Sequence, residues 1–305
     1  MKTYPSGAPL FSKSLVLAFL VLAFWLWVFG LCQAHGRDEL RVISLYAGHT
    51  ENLLRMGCRD LLVGISAQET YDGPETQGWV RPRQFSARDD VEKYLAARPD
   101  LILARPQHLA SSPHLWAALE KVGIKIWAKQ VLLATELNGY WLELGALVGR
   151  EAQAQQMVER FKKALAPHEG RSLDRRPGVF LEAIHQQIKT FTPGSIPIWL
   201  MELAGGRNVA ADVEMGQGRI VVDFGPERLL GLANEVEIYL SQAGPMNRVS
   251  LETIKSRPLF RNLPAFKNNR VYKIPEDLIA RPTPGILEGL GLMVKIIQEG
   301  HGQER

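Results

Sequence analysis

Residues 41–66, RVISLYAGHTENLLRMGCRDLLVGIS, predict the architecture of the chain. Residues 41–46 form a nearly continuous apolar run, which is typical of a strand buried on both faces of a parallel sheet. A tight loop at 47–49 follows, Thr50 caps a short helix, and 60–66 form a second strand. The loop therefore lies at the carboxyl end of a strand, where open α/β sheets bind their ligands.

The alternation of short apolar strands with helices continues through residue 128. The predicted elements are a helix at 87–97, a strand at 101–104, a helix at 113–122 and a strand at 124–128. This order predicts a parallel sheet with helices on its faces. The polar, turn-rich segment 68–85 has the length and composition of a functional loop.

The pattern changes after residue 135, where two helices follow each other with no strand between them. A second α/β region begins at Gly178 and ends in a helix at 284–298. The sequence thus predicts two α/β lobes, an N-terminal lobe at 38–149 and a C-terminal lobe at 175–300. One long helix at 150–168 joins them, and a ligand cleft lies between the lobes.

The overall composition excludes several classes of protein. With 46% hydrophobic and 22% charged residues and a formal net charge of +4, the chain is an ordinary globular protein without a basic stripe, so we expect no nucleic acid partner. No G-x-S-x-G, P-loop or G-x-G-x-x-G motif is present, which argues against an enzyme. A carbohydrate-active enzyme or transferase on two α/β lobes is the alternative, and it would need a carboxylate or nucleophile in the cleft.

The N-terminus carries an export signal. Lys2 and Lys13 precede the apolar run 15–32, and the segment 1–34 is predicted to be a cleaved signal peptide. The run is also long enough for a retained membrane anchor. Cys32 offers a third route, lipidation, although Leu31 stands where a lipobox has a small residue. We expect an exported protein, periplasmic or anchored on the periplasmic or outer face of a membrane, in which Cys58 is a small buried hydrophobe.

Four strings resemble one known family. RVISLYAGHTENLLRMG with LLVGIS, VEKYLAARPDLILA, LGALVGREAQAQQMVERF and SLETIKSRPLFRNLPAFKNNRVYKIP are similar to segments of the periplasmic substrate-binding proteins of ABC transporters for iron–siderophores and vitamin B12. They occur in the family's order between residues 41 and 298, so the resemblance covers nearly all of the mature chain.

The resemblance implies a fold of two lobes bridged by one rigid helix, with small closure. It implies a monomer without an intrinsic cofactor that captures a metal chelate and delivers it to an ABC permease dimer in the inner membrane. The expected chelate is a ferric siderophore, with cobalamin or haem as alternative ligands. The alternative function on the same fold is that of a membrane-anchored sensor or receptor domain. By string alignment, Glu92 and Glu227 match the family's two permease-docking glutamates; the alternative is that they are ordinary solvated helix residues.

The ligand residues are predicted from chemistry and position. A chelate needs an apolar wall and a few convergent polar groups, and arginine suits planar anions. The candidates at strand ends are Tyr46, His49, Arg105, His185, Lys189, Phe191 and Arg281. Several have structural alternatives, among them a helix cap for His49, a core aromatic for Tyr46 and a structural role for Arg281. The seven histidines show no i, i+4 pair or H-E-x-x-H motif, so no resident metal is predicted.

Overall fold

The N-terminal lobe is built on a five-stranded parallel sheet. The computed structural model describes residues 39–170, 175–216 and 218–299, so the predicted export segment 1–34 lies outside the described residues. The strands are β1 (Val42–Ser44), β2 (Leu62–Ser66), β3 (Arg83–Phe85), β4 (Leu101–Ala104) and β5 (Lys125–Ala128). All neighbouring strands are parallel, and their order is β3-β2-β1-β4-β5. From β1 the chain adds β2 and β3 on one side and then β4 and β5 on the other, so the strand order reverses between β1 and β4. Ligands of such sheets bind at the carboxyl ends of the strands beside this reversal.

Four helices cover this sheet. They are α1 (Ala47–Arg55), α2 (Val91–Ala97), α3 (Pro106–Ser111) and α4 (Pro113–Lys121). One prediction is wrong here, because α1 begins at Ala47 and residues 47–49 are helix rather than loop. Thr50 therefore lies inside the helix, where its hydroxyl donates to the Ser44 hydroxyl at 2.8 Å instead of capping. The short strand β3 was also missed, because it lies at the sheet edge with exposed polar side chains.

Two consecutive helices lead from the first lobe to the second. They are α5 (Leu137–Leu147) and α6 (Glu151–Leu165), and a 3₁₀ turn at Ala166–His168 follows them. The predicted apolar stripe of α6 is buried. Near its end, the Phe161 ring contacts Trp141 of α5, with centroids 4.8 Å apart, and Trp199 of the next lobe, with centroids 6.5 Å apart. The helix thus packs against both lobes.

The C-terminal lobe has a mixed six-stranded sheet. Its strands are β6 (Gly178–Ile184), β7 (Lys189–Phe191), β8 (Arg207–Asn208), β9 (Val221–Asp223), β10 (Ile238–Ala243) and β11 (Val271–Pro275). The order is β11-β10-β6-β7-β9, with β8 beside β6; β7 runs antiparallel to both of its neighbours. The helices are α7 (Ile196–Leu203), α8 (Pro226–Gly231), α9 (Leu251–Lys255), α10 (Pro264–Lys267), α11 (Glu276–Ile279) and α12 (Ile286–Glu299). The predicted α/β fold class with two sheets is confirmed.

Residues 281–285 tie the C-terminal lobe to the N-terminal lobe. The buried Pro282 carbonyl accepts hydrogen bonds from Asn52 Nδ2 and from Trp141 Nε1, each at 3.0 Å. Arg281 reaches Glu51 at 3.5 Å and donates to the Thr70 hydroxyl at 2.8 Å. Each of these contacts crosses from one lobe to the other, so this segment joins the two lobes at a second place besides α6.

Among the described residues, no helix combines the length and the apolar character that crossing a bilayer requires.

Two glycines of α12 provide a matched test of how tightly α11 is held. A Cβ at Gly289 would lie 2.0 Å from the Leu278 carbonyl oxygen, whereas a Cβ at Gly291 meets no atom within 4 Å. We expect Gly289→Ala to lower the free energy of unfolding by about 1–3 kcal/mol through overpacking. Gly291→Ala should raise it by roughly 0.5–1 kcal/mol because alanine is the better helix former. Urea unfolding measures the free energy of unfolding of both variants. Equal changes in the two variants would contradict the close contact between residue 289 and α11.

Candidate ligand-binding cleft

The candidate site is the edge where strands of both lobes end. Tyr46 follows β1 and Arg105 follows β4 in the N-terminal lobe. Met246 follows β10 and Glu276 follows β11 in the C-terminal lobe. The charges of Arg105 and Glu276 are close enough to shift each other's pKa values. The carboxyl ends of the two sheets therefore present side chains to a common space.

Arg105 and Tyr46 form a stacked pair. The Arg105 guanidinium carbon lies 4.4 Å from the centre of the Tyr46 ring, a cation–π contact worth about 1 kcal/mol. Arg105 is half-buried, its Nε has no hydrogen-bond partner among the described residues, and no ion pair joins it to a described carboxylate. Burial lowers the pKa of Arg105 and raises that of Tyr46. A desolvated cation without a counter-ion is suited to receiving an anionic group from a ligand.

Gly48 makes the position of the Tyr46 ring possible. A Cβ at residue 48 would lie 2.5 Å from the Tyr46 ring and 3.2 Å from Arg281 Cγ. The ring therefore lies against the first turn of α1, close to the segment that comes from the C-terminal lobe. A side chain at position 48 would collide with the Tyr46 ring, which explains the glycine in the first turn of α1.

The placement of His49 corrects its prediction as a ligand contact. Its side chain is buried, with 1% of its surface exposed, and both ring nitrogens have partners. Nε2 lies 2.9 Å from the Ala104 carbonyl oxygen and Nδ1 lies 2.7 Å from the Tyr140 hydroxyl. Because a carbonyl only accepts, Nε2 carries the proton and Nδ1 accepts from Tyr140. His49 thus ties the ends of β1 and β4 together beneath the Tyr46–Arg105 pair.

Trp127 forms an aromatic wall beside this pair. Its ring is stacked on Tyr140, with centroids 6.1 Å apart and planes 7° apart. Its indole Nε1 donates to Glu143 at 2.8 Å, and Glu143 also pairs with Lys129 at 2.7 Å. Trp127 is partly exposed, so an apolar face remains at the carboxyl end of β5.

The opposing wall in the C-terminal lobe comes from Glu276 and Met246. Glu276 Oε2 accepts from the Met246 backbone N–H at 3.0 Å, and the Met246 residue is 54% exposed. A Cβ at Gly244 would lie 2.6 Å from the Glu276 carboxylate, so the glycine leaves room for this side chain. Burial raises the pKa of Glu276, although the Met246 N–H offsets part of that shift. Glu276 is not in an ion pair with any described residue.

His185 lies at the carboxyl end of β6, above a buried charge network. Arg257 contacts both its Nδ1 and its carbonyl oxygen, and also donates to the fully buried Glu182 at 2.9 Å. Burial opposes ionisation of Glu182, but His185 and Arg257 together with two hydroxyl donors hold its pKa below the usual range. His185 and Arg257 also border a pocket of about 400 Å³ whose other walls include Ile188, Leu259 and Phe260.

The other three predicted ligand residues already have partners or are buried. Phe191 is 2% exposed and belongs to the interior, which corrects its predicted place on the cleft wall. Lys189 pairs with Asp223 at 3.0 Å. The Arg281 side chain is 12% exposed and is engaged by Glu51 and Thr70, as its structural alternative predicted.

The two predicted docking residues are exposed. Glu92 lies in the first turn of α2 and Glu227 in the first turn of α8, one on each lobe. Neither is in an ion pair with a described residue. Within the part of the chain that the structure describes, no three His, Cys, Asp or Glu side chains are grouped to hold a metal ion.

The chain belongs to the periplasmic binding protein family, whose profile matches residues 42–278. Among curated proteins, it is 23% identical over 265 residues to an uncharacterised ABC transporter substrate-binding lipoprotein of Bacillus subtilis, covering 83% of this chain and 78% of the relative. It is 25% identical over 251 residues to the vitamin B12-binding protein of Vibrio cholerae, covering 82% and 86%. Among solved structures, it is similar to a possible iron-binding, periplasmic solute-binding protein of Staphylococcus epidermidis, with a TM-score of 0.72, 27% identity and coverage of 85% and 98%.

Glu276 and Met246 were not among the ligand residues predicted from the sequence. Glu276 directly follows the strand VYKIP. Its position at the carboxyl end of a strand would have identified it as a candidate ligand residue. The predicted ligand residues are cations, histidines and aromatics, because an anionic chelate was expected, and an acidic residue at a strand end does not fit that expectation.

The buried His49 predicts a pH dependence of stability. Burial lowers the pKa of His49 from 6.5 to about 4, so between these values the unfolded chain binds one more proton. Stability should therefore fall as the pH drops from 6.5 to 4, by up to about 1.4 kcal/mol per pH unit from this group. His49→Gln should flatten the slope by that amount in urea unfolding, whereas His114→Gln, on the exposed surface, should not. Parallel slopes for His49→Gln and wild type would rule out His49 as the cause.

Proposed function

We propose that this chain is the solute-binding component of an ABC importer that captures a metal chelate between its two lobes. The observation that carries the proposal is the stacked Arg105–Tyr46 pair, a half-buried cation without a counter-ion at a strand end that faces the other lobe. Membership of a solute-binding family and the names of its relatives support the same function. The protein acts by binding and release, without turnover.

The ligand is a ferric siderophore or a related chelate, with cobalamin and haem as the alternatives within the same site. Arg105 and Tyr46 hold a polar or anionic group, while Trp127 and Met246 supply the apolar faces on which a chelate packs. His185 borders the same edge from the C-terminal lobe. The metal arrives already coordinated, so the protein needs to recognise only the outer surface of the chelate.

Export and docking complete the proposed role. The apolar segment 15–32 directs the chain out of the cytoplasm, and the lipoprotein relative supports a periplasmic or membrane-attached location. Glu92 and Glu227 dock the protein, as a monomer, onto basic side chains of an inner-membrane permease dimer. Their exposure, their lack of described ion-pair partners and their positions on different lobes suit a two-point contact.

Chelate binding tests the proposed function. Titration of the mature protein with ferric siderophores, cobalamin and haem should quench tryptophan fluorescence at a stoichiometry near one, because Trp127 lies at the cleft. Arg105→Gln should weaken binding about 10-fold to 100-fold, as expected for losing a charged hydrogen bond worth roughly 1.5–3 kcal/mol. Arg88→Gln, an exposed arginine elsewhere on the same lobe, is the control. Absence of binding to every chelate would refute the proposed function.

Permease docking is tested separately from chelate binding. In cells where the variant replaces the wild-type copy, Glu92→Ala combined with Glu227→Ala should lower uptake of the labelled chelate at least about 10-fold, while chelate affinity stays unchanged, because each removes a charged contact to the permease. Glu120→Ala with Glu252→Ala, two exposed helix glutamates on the same two lobes, should leave uptake as it was. Wild-type uptake by the Glu92/Glu227 variant would remove these residues from the docking surface.

A further inference from the structure

Most of the basic side chains that suggested an anionic ligand are neutralised within the protein. Arg281 is paired with Glu51 and Lys189 with Asp223, and His185 lies 3.5 Å from the buried Glu182, which also pairs with Arg257. A cation that is already paired with a carboxylate adds little to the attraction of a second anion. Of the predicted basic ligand residues in the described structure, Arg105 is the cation that has no acidic partner.

The opposite lobe presents an acid at the same edge, Glu276, which is in no ion pair with a described residue but lies within the electrostatic reach of Arg281 and Arg105. Glu276 is half-buried and makes its one described side-chain hydrogen bond to the Met246 backbone, whose N–H is neutral. Gly244 fixes the room that this carboxylate occupies, and α12 packs against the helix that begins at Glu276. The carboxylate is therefore held in place at the rim of the cleft by its own lobe.

The cleft thus has one charge of each sign that is in no ion pair with a described residue, one on each lobe. Half-buried charges are poorly solvated, so a ligand that supplies the complementary groups stabilises both. Arg105 needs an anionic group, and Glu276 needs N–H or O–H donors. A second anion on the ligand would meet the Glu276 carboxylate, and like charges placed together at an interface weaken binding.

We propose that Arg105 and Glu276 select the ligand by charge. The preferred chelate carries one anionic group on the side that meets the N-terminal lobe and amide or other hydrogen-bond donors on the side that meets the C-terminal lobe. Glu276 is the specificity residue that rejects polyanionic chelates, including ferric tris-catecholates. This inference rests on the proposed function, and it narrows the expected anionic chelate to one that carries a single anionic group.

Three chelates of different charge test this selection. They are cyanocobalamin, which has a single phosphodiester among amide side chains, the neutral hydroxamate peptide chelate ferrichrome, and the polyanionic ferric enterobactin. Wild-type protein should bind cyanocobalamin at least about 10-fold more tightly than ferric enterobactin by tryptophan quenching, with ferrichrome between them. Glu276→Gln keeps the size of the side chain and an acceptor for the Met246 N–H, so the fold should survive.

Glu276→Gln should strengthen ferric enterobactin binding by about 10-fold and weaken cyanocobalamin binding. The ratio of the cyanocobalamin affinity to the ferric enterobactin affinity should therefore fall. Asp277→Asn removes the same charge from the neighbouring exposed position and should leave the ratio unchanged. A wild-type preference for ferric enterobactin, or a ratio that Glu276→Gln leaves unaltered, would overturn the charge selection while the proposed function stands. If the wild type binds none of the three chelates nor haem, the proposed function falls, and the charge selection falls with it.

Discussion

The Pro282 carbonyl is the contact on which the arrangement of the two lobes depends. It comes from the C-terminal lobe and is buried against two donors of the N-terminal lobe, Asn52 and Trp141. Arg281, its neighbour, adds an ion pair to Glu51 and a hydrogen bond to Thr70. A buried carbonyl that loses such donors is left unsatisfied at a cost of roughly 1–3 kcal/mol. The lobes are therefore tied at a second place besides the connecting helix.

The residues beneath the cleft that hold the strand ends in place differ from the residues that we propose contact the ligand. His49, Tyr140 and Trp127 lie together, and their nitrogens and hydroxyl are engaged within the protein. A second network of this kind lies in the C-terminal lobe, where Arg257 contacts both Glu182 and His185. These satisfied networks hold the strand ends in place, because breaking any one of them exposes a buried polar group. Arg105 and Glu276 are in no ion pair with a described residue, and they are the groups that we propose meet the ligand.

The fold was predictable to a larger extent than the site. Alternating apolar strands and helices over residues 41–128 specify an α/β lobe, since buried parallel strands leave a continuous apolar signal. The edge strand β3 and the antiparallel strands β7 and β9 are three residues each and too short to show a period. The structural partners of His49 and Arg281 could not be read from the sequence, because they lie 91 and 230 residues away in the chain. Residue type and strand-end position identify candidates for a cleft, but which charges remain unpaired is decided by these distant contacts.

Hydrogen exchange with and without a saturating chelate is the most direct test of the central claim that the ligand is held between the lobes. The chelate should slow exchange in peptides from both lobes, around residues 103–110 after β4 and around residues 244–249 after β10. Exchange in α6 should stay unchanged, because the connecting helix is already packed on both sides. Slowing confined to one lobe, or found away from both strand ends, would contradict a site built from the two lobes together.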